Sequence, residues 1–204
     1  MHKEILDKAQ LELLPLVQQF KREFYLVGDT AIALHIGHRR SIDFDLFKAK
    51  RINIIKIVSR ISESKYSYTI TRRVEEQLNL IIGEVKFTFF EYPFPIEANG
   101  KFENYIKLPG LLQLAAMKAY ALGRRSKWKD YVDLYFIIKD HHIISEIIKQ
   151  AEAIYGELFS EKLFRAQLCF FEDIDYTEKV DYIITNPPSE TEVKSFLCKT
   201  AIDI

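Results

Sequence analysis

The stretch from Gly28 to Phe47, G-D-T-A-I-A-L-H-I-G-H-R-R-S-I-D-F-D-L-F, decides how this chain is read. Asp43 and Asp45 alternate there with Ile42, Phe44 and Leu46, and on a strand residues two apart project to the same face. Both carboxylates therefore share one side of a short apolar strand. Like charges held so close repel, and lost hydration adds to the cost, so such a pair is stabilised by a divalent cation or a shared proton. Oxygen ligands favour magnesium or manganese.

Upstream of the acids, Phe24 to Val27 reads as a strand, Gly28-Asp29 as a turn, and Thr30 to Ile36 as a helix for which Asp29 or Thr30 can be the N-cap. A glycine turn that opens a helix presents backbone N–H groups with little steric obstruction, which suits phosphate oxygens. Gly28, Asp29 and Thr30 are thus candidate nucleotide-binding residues. The basic link His38-Arg39-Arg40 leads into the acidic strand, and Arg39 and Arg40 are placed to reach phosphate in bidentate fashion. His35 and His38 lack a third ligand at metal spacing and read as packing residues.

The flanks supply the rest of the architecture. Ile5, Leu6, Ala9, Leu13, Leu16, Val17 and Phe20 follow a helical stripe that Pro15 should kink or divide. Asn53 to Ile61 is an amphipathic helix, and Tyr66 to Phe90 alternates as two or three antiparallel strands with a turn at Gly83. Pro93, Pro95 and Asn99-Gly100 mark a connection. Helices are predicted beyond it over 111–122, 127–139, 143–155, 160–170 and 189–198. The expected fold class is α+β: a mixed-sheet domain with helices over 1–105 and a helical domain over 106–204.

Composition narrows the function classes. The chain has 204 residues, 48% hydrophobic, enough to bury one sizeable core or two small ones. Its 29 basic residues balance 29 acidic ones, so any role with nucleic acid must rest on local patches. Two isolated cysteines, Cys169 and Cys198, exclude a disulfide framework or zinc cluster and point to a reducing, cytoplasmic setting. No signal segment or membrane-spanning run is evident, so no membrane role is expected.

A glycine turn at a strand end, a helix, and Asp43-Phe44-Asp45 in a hydrophobic strand resemble the polymerase-β-type nucleotidyltransferase signature. With the later A-A-M-K-A-Y-A-L from Ala115 and K-D-Y-V-D-L-Y-F from Lys129, the chain is similar to the AbiEii/AbiGii toxin family, the nucleotidyltransferase halves of bacterial abortive-infection and toxin-antitoxin pairs. The match runs from about Phe24 to Phe136. The resemblance implies an enzyme that transfers a nucleotide from a nucleoside triphosphate to a hydroxyl acceptor, an RNA such as tRNA or a protein. A cognate antitoxin is implied as a partner. It also implies that Lys118 and Asp130 are held near the nucleotide as catalytic residues, with Asp133 binding nucleotide beside them.

The chemistry accounts for these residue types. Attack on an α-phosphate gathers negative charge that two magnesium ions about 4 Å apart can neutralise, and Asp43 and Asp45 are the metal ligands for that task. Arg124, Arg125, Lys127 and Lys129 form the most basic segment, where Trp128 could stack a base. Two departures stand against this assignment. Asp29 occupies the second position of the turn, where the resembling family carries glycine or serine. Thr88 stands where the superfamily has a third carboxylate, with Glu84 two side-chain steps away. Both favour the alternative of a catalytically degenerate module that keeps the fold and binds nucleotide or a partner. The alternative for the Lys118, Asp130 and Asp133 set is an interhelical salt bridge that fixes packing.

Overall fold

A computed structural model describes residues 1–203, and the chain divides into two compact units, 1–110 and 111 onward. The first unit begins with a single 3-10 turn, Lys3–Ile5, followed by α1 (Lys8–Gln18). The break in the stripe falls at Asp7 and not at Pro15. Asp7 Oδ1 accepts from Gln10 N at 2.7 Å while the Gln10 side chain accepts from Asp7 N at 3.2 Å, a capping box that starts a new helix. Pro15 stays inside α1, where burial of Leu13, Leu14, Leu16 and Val17 offsets the hydrogen bond its ring removes.

Next come β1 (Tyr25–Val27), α2 (Gly28–Ile36), β2 (Phe44–Lys48) and α3 (Ile54–Ser62), the last capped by Asn53, whose side chain accepts from Lys56 N. Then follow β3 (Thr69–Val74), β4 (Gln77–Ile82), β5 (Val85–Glu91), β6 (Gly100–Phe102) and β7 (Ile106–Leu108). The alternating stretch resolves into three antiparallel strands, with Tyr66 and Tyr68 preceding the first of them. All seven strands form one mixed sheet ordered β3-β4-β5-β2-β1-β7-β6, with β2–β5 and β1–β7 parallel.

The apolar rows of this sheet determine where the acids sit. Leu26, Leu46, Phe89 and Leu78 lie side by side across four strands, all without exposed surface. Phe89 meets the ring of Phe20 at 4.8 Å and that of Phe24 at 5.3 Å, and Phe44 meets Phe87 at 5.2 Å. A slip of one residue would put this whole set in water, so the register is strongly specified. One step along, the next row reads Val27, Asp45, Thr88 and Asn79 and points to the opposite face.

The second unit is helical: α4 (Leu111–Leu122), α5 (Trp128–Asp140), α6 (Ile144–Tyr155), a short 3-10 turn, α7 (Glu161–Leu168) and α8 (Glu190–Ile202). Ser160 and Ser189 cap the last two by accepting from Leu163 N and Glu192 N. Among the described residues no helix is long and apolar enough to cross a membrane.

Candidate active site

In the first unit the site grows from the β1–α2 turn. Gly28 opens α2 at φ +72°, a left-handed conformation that favours glycine, and Val27 pairs with Asp45 across the sheet. That register carries the Asp45 carboxylate onto the turn. A Cβ added to Gly28 would lie 2.3 Å from Asp45 Oδ2, so only glycine leaves room for the acid. Asp45 is inside β2, and Asp43 stands just before it.

Asp45 is electrostatically overloaded. Burial first, then the charge of Asp29, then that of Asp43, push its carboxyl up to about 6. The Thr88 hydroxyl, hydrogen-bonded to it from the neighbouring strand, and Lys86 pull in the other direction. The position expected for a third carboxylate therefore holds a hydroxyl facing Asp45 directly. The family resemblance points to Thr88 at this position, and the register with Asp45 and the hydrogen bond to it are what the structure adds.

Asp29 does not cap α2. The N-cap is Val27, which has no capping side chain, and Asp29 sits within the first turn with its Oδ2 3.0 Å from Nη2 of Arg39. Arg39 is completely buried, and its Nη1 also donates to the Arg40 carbonyl at 3.1 Å. The guanidinium expected to face phosphate is thus committed to holding Asp29. Arg40 reaches the Glu4 carbonyl at 3.3 Å.

Thr30 is not a cap either. It is buried, with Oγ1 2.5 Å from the Asp43 carbonyl and 2.8 Å from the Ser41 hydroxyl. A hydroxyl has one proton to give, so Thr30 donates to the carbonyl and Ser41 donates to Thr30. Through Thr30, α2 pins the backbone of Asp43. His35 bonds the Pro109 carbonyl at 2.9 Å, and His38 is buried.

The donor set of this site is carboxylate oxygen, matched to a hard divalent cation. The mutual repulsion that raises Asp45 is relieved by such a charge. Among the described residues no three His, Cys, Asp or Glu side chains are arranged around a single metal position. The residues that could hold such an ion are Asp43 and Asp45, whose charges repel beside the Gly28 turn.

The second unit holds the other motif. Lys118 Nζ on α4 lies 2.7 Å from Asp130 Oδ1 and 2.9 Å from Asp133 Oδ2 on α5, all three nearly without exposed surface. Arg125 adds a two-point contact to Asp130, Nε at 2.9 Å and Nη2 at 3.1 Å. One cation between two buried acids ties the helices together, the geometry of the interhelical salt bridge. Trp128 is not an open stacking surface. It is largely buried, with Tyr131 at 6.2 Å and Tyr176 at 5.5 Å.

A family model described as nucleotidyl transferase AbiEii toxin, type IV toxin-antitoxin system, matches residues 16–182. The chain belongs to the AbiEii nucleotidyltransferase toxin family. An uncharacterized protein of Aquifex aeolicus (strain VF5) is 30% identical over 178 residues, 82% of this chain and 84% of that protein. The nucleotidyltransferase toxin MenT4 of Mycobacterium tuberculosis H37Rv has a similar fold, with a TM-score of 0.64 and 16% identity over 95% of this chain and 80% of that one. JHP933 of Helicobacter pylori follows at a TM-score of 0.56 and 15% identity, covering 96% and 91%. The AbiEii match spans the Gly28 turn, the Asp43-Phe44-Asp45 strand and the Lys118 to Asp133 segment together. The α+β architecture expected from the sequence is thus the architecture of nucleotidyltransferase toxins.

Proposed function

We propose that this AbiEii family member binds a nucleoside triphosphate with magnesium or manganese at Gly28, Asp43 and Asp45 and transfers its nucleotidyl group to a hydroxyl of RNA or protein. The observation that carries this reading is the seating of Asp45 on the Gly28 turn beside Asp43, a carboxylate pair made costly by burial and repulsion. Natural sites keep such pairs where a cation uses them. When bound, the metal offsets the negative charge that builds on the α-phosphate as the acceptor oxygen attacks and pyrophosphate leaves.

The chain's own groups have separable tasks. Asp43 and Asp45 hold the cations, and Thr88 orients Asp45 by donating its hydroxyl proton. The first-turn N–H groups of α2 receive phosphate oxygens, helped by the positive end of the helix dipole. Arg39 pairs with Asp29 and offsets part of its charge, which eases the presence of an acid in the turn beside the triphosphate. Lys118, Asp130 and Asp133 act as a positioning unit that fixes α4 against α5. A cognate antitoxin is the partner that membership of a toxin-antitoxin family supports.

Incubation with each α-labelled triphosphate, magnesium or manganese, and total RNA tests the proposal. Label transfer abolished by Asp43→Ala and by Asp45→Ala is the expected result. Thr88 in place of an acid and the charge of Asp29 favour a second reading, a degenerate nucleotide- or partner-binding module. Retained nucleotide binding with no transfer to any acceptor would establish that reading instead.

A further inference from the structure

Within the second unit, residues 171–182 fold back as an irregular strap over the basic segment Arg124 to Lys129. The strap carries Glu172, Asp173, Asp175, Glu178 and Asp181 against a single Lys179. Its contacts are with the cationic segment: Asp173 Oδ2 accepts from Ser126 Oγ at 2.8 Å, and Glu178 pairs with Lys127 and, at 3.1 Å, with Lys129. The backbones join as well, through Asp175 N to Ser126 O at 2.7 Å and Trp128 N to Asp175 O at 3.1 Å. Tyr176 covers Trp128. Phe171 and Tyr182 anchor the two ends of the strap on Tyr131 and Phe136, and the Tyr176 hydroxyl donates to Glu190 at 3.0 Å; between those ends the strap is mostly exposed and held by charge and a few backbone bonds.

At one end the cover is incomplete. A cavity of about 340 Å³ opens between the exposed Arg124 and Arg125 on one side and Asp173 and Asp175 on the other. The two guanidiniums, engaged with the Tyr120 carbonyl and with Asp130, give the cavity a cationic rim that an incoming anion meets beside the carboxylates of the strap.

We infer that the acidic strap is an intrachain competitor for a phosphate backbone: single-stranded RNA enters at Arg124 and Arg125 and displaces Asp173, Asp175 and Glu178 from Ser126, Lys127 and Lys129. A chain of phosphates can accept from the Ser126 hydroxyl and pair with Lys127 and Lys129 as the strap's carboxylates do, and it gains entropy by releasing its own counterions. Displacement also lifts Tyr176 and exposes the Trp128 face, the surface on which a base stacks. The inference concerns the second unit alone and is independent of nucleotidyl transfer.

The test uses the full chain without nucleotide or metal. A fluorescein-labelled oligouridylate of about twenty nucleotides reports binding by anisotropy, and Trp128, the only tryptophan, reports the strap. At low salt, wild-type protein is expected to bind weakly, with a change in tryptophan emission that saturates together with the anisotropy. Asp173→Asn/Asp175→Asn/Glu178→Gln is expected to bind about ten-fold or more tightly, with a smaller emission change on binding. Equal affinities, no binding by either protein, or wild-type binding that leaves Trp128 emission unchanged would each overturn the inference. Should the neutralised chain fail to fold, the coincidence of the two wild-type signals decides.

Discussion

The α carbon of Gly28 and the carboxylate of Asp45 are packed so closely that a methyl group on Gly28 would stand 2.3 Å from Oδ2. The turn and the acid are one device, made by the pairing of Val27 with Asp45. Gly28→Ala therefore meets two penalties, a positive φ and a collision with a charged oxygen. It is expected to destabilise the protein by about 1–3 kcal/mol in urea unfolding and to abolish any metal-linked stabilisation.

Asp45 sets a pH dependence opposite to that of an ordinary surface carboxylate. Its folded-state carboxyl, up to about 6, lies above the ordinary 3.8, so the native state binds the proton more tightly than the unfolded state does. The stabilisation from that proton is complete below about pH 4 and is lost as pH rises through 6, up to ~3 kcal/mol in all. Asp45→Asn removes this liability. Its stability relative to metal-free wild type should rise between pH 4 and 7, and millimolar magnesium should raise the wild-type melting temperature more at pH 7 than at pH 5. A flat difference between the two proteins across that range would contradict the assigned origin of the shift.

Lys118 lies between two buried acids, and the pattern of its substitutions separates network integrity from local polarity. Lys118→Met alone leaves Asp130 and Asp133 without their shared ammonium and should cost about 3–5 kcal/mol. Adding Asp130→Asn and Asp133→Asn removes the charges left behind, and thermal melting of the triple variant should recover most of the loss.

The parts of the fold readable from residues alone were those with a strong local period. The strands between 69 and 91 and the helices of the second unit appear close to where hydrophobic spacing put them, whereas Gly28 and Asp29 already belong to α2, and the short strands β6 and β7 lie where a connection and the start of the helical domain were expected. Thr88 was located by its resemblance to the superfamily's third-carboxylate position. What local pattern could not show was which distant group would claim a side chain. Asp29 has the residue type and position of a cap, yet Arg39, ten positions on, takes its carboxylate. Arg39 looked free for phosphate for the same reason. Trp128 sits in a basic run that suggests exposure, but Tyr176 covers it from a segment about fifty positions away in sequence. The break in the first helix lies at Asp7 because a capping box is a stronger local instruction than one proline within an otherwise buried face.

Asp29 and Arg39 form a pair whose coupling can be measured. Asp29→Asn, Arg39→Met and the double variant should give a coupling of about 1–3 kcal/mol in a double-mutant cycle. Asp29 is also the second largest cause of the high Asp45 carboxyl value, after burial. A carbon-detected titration of Asp45 should therefore move downward in Asp29→Asn, and an unmoved titration would remove Asp29 from the electrostatics of the site.

Thr88 faces Asp45 across the β2–β5 register, at the position where the resemblance to polymerase-β-type nucleotidyltransferases implies a third acid. Thr88→Asp sets a new carboxylate beside one already burdened by Asp29 and Asp43. Without metal, the variant should be less stable than wild type at pH 7, by about 1–3 kcal/mol, and this deficit should shrink toward pH 4 as the acids protonate. With manganese the sign should reverse, because a third oxygen ligand repays its repulsion when a cation is bound. Calorimetric titration should show manganese binding about ten-fold tighter than wild type. If the added acid destabilises the protein and metal affinity stays the same, Asp45 and Thr88 do not face a cation site, and the binding-module reading of this fold gains the argument.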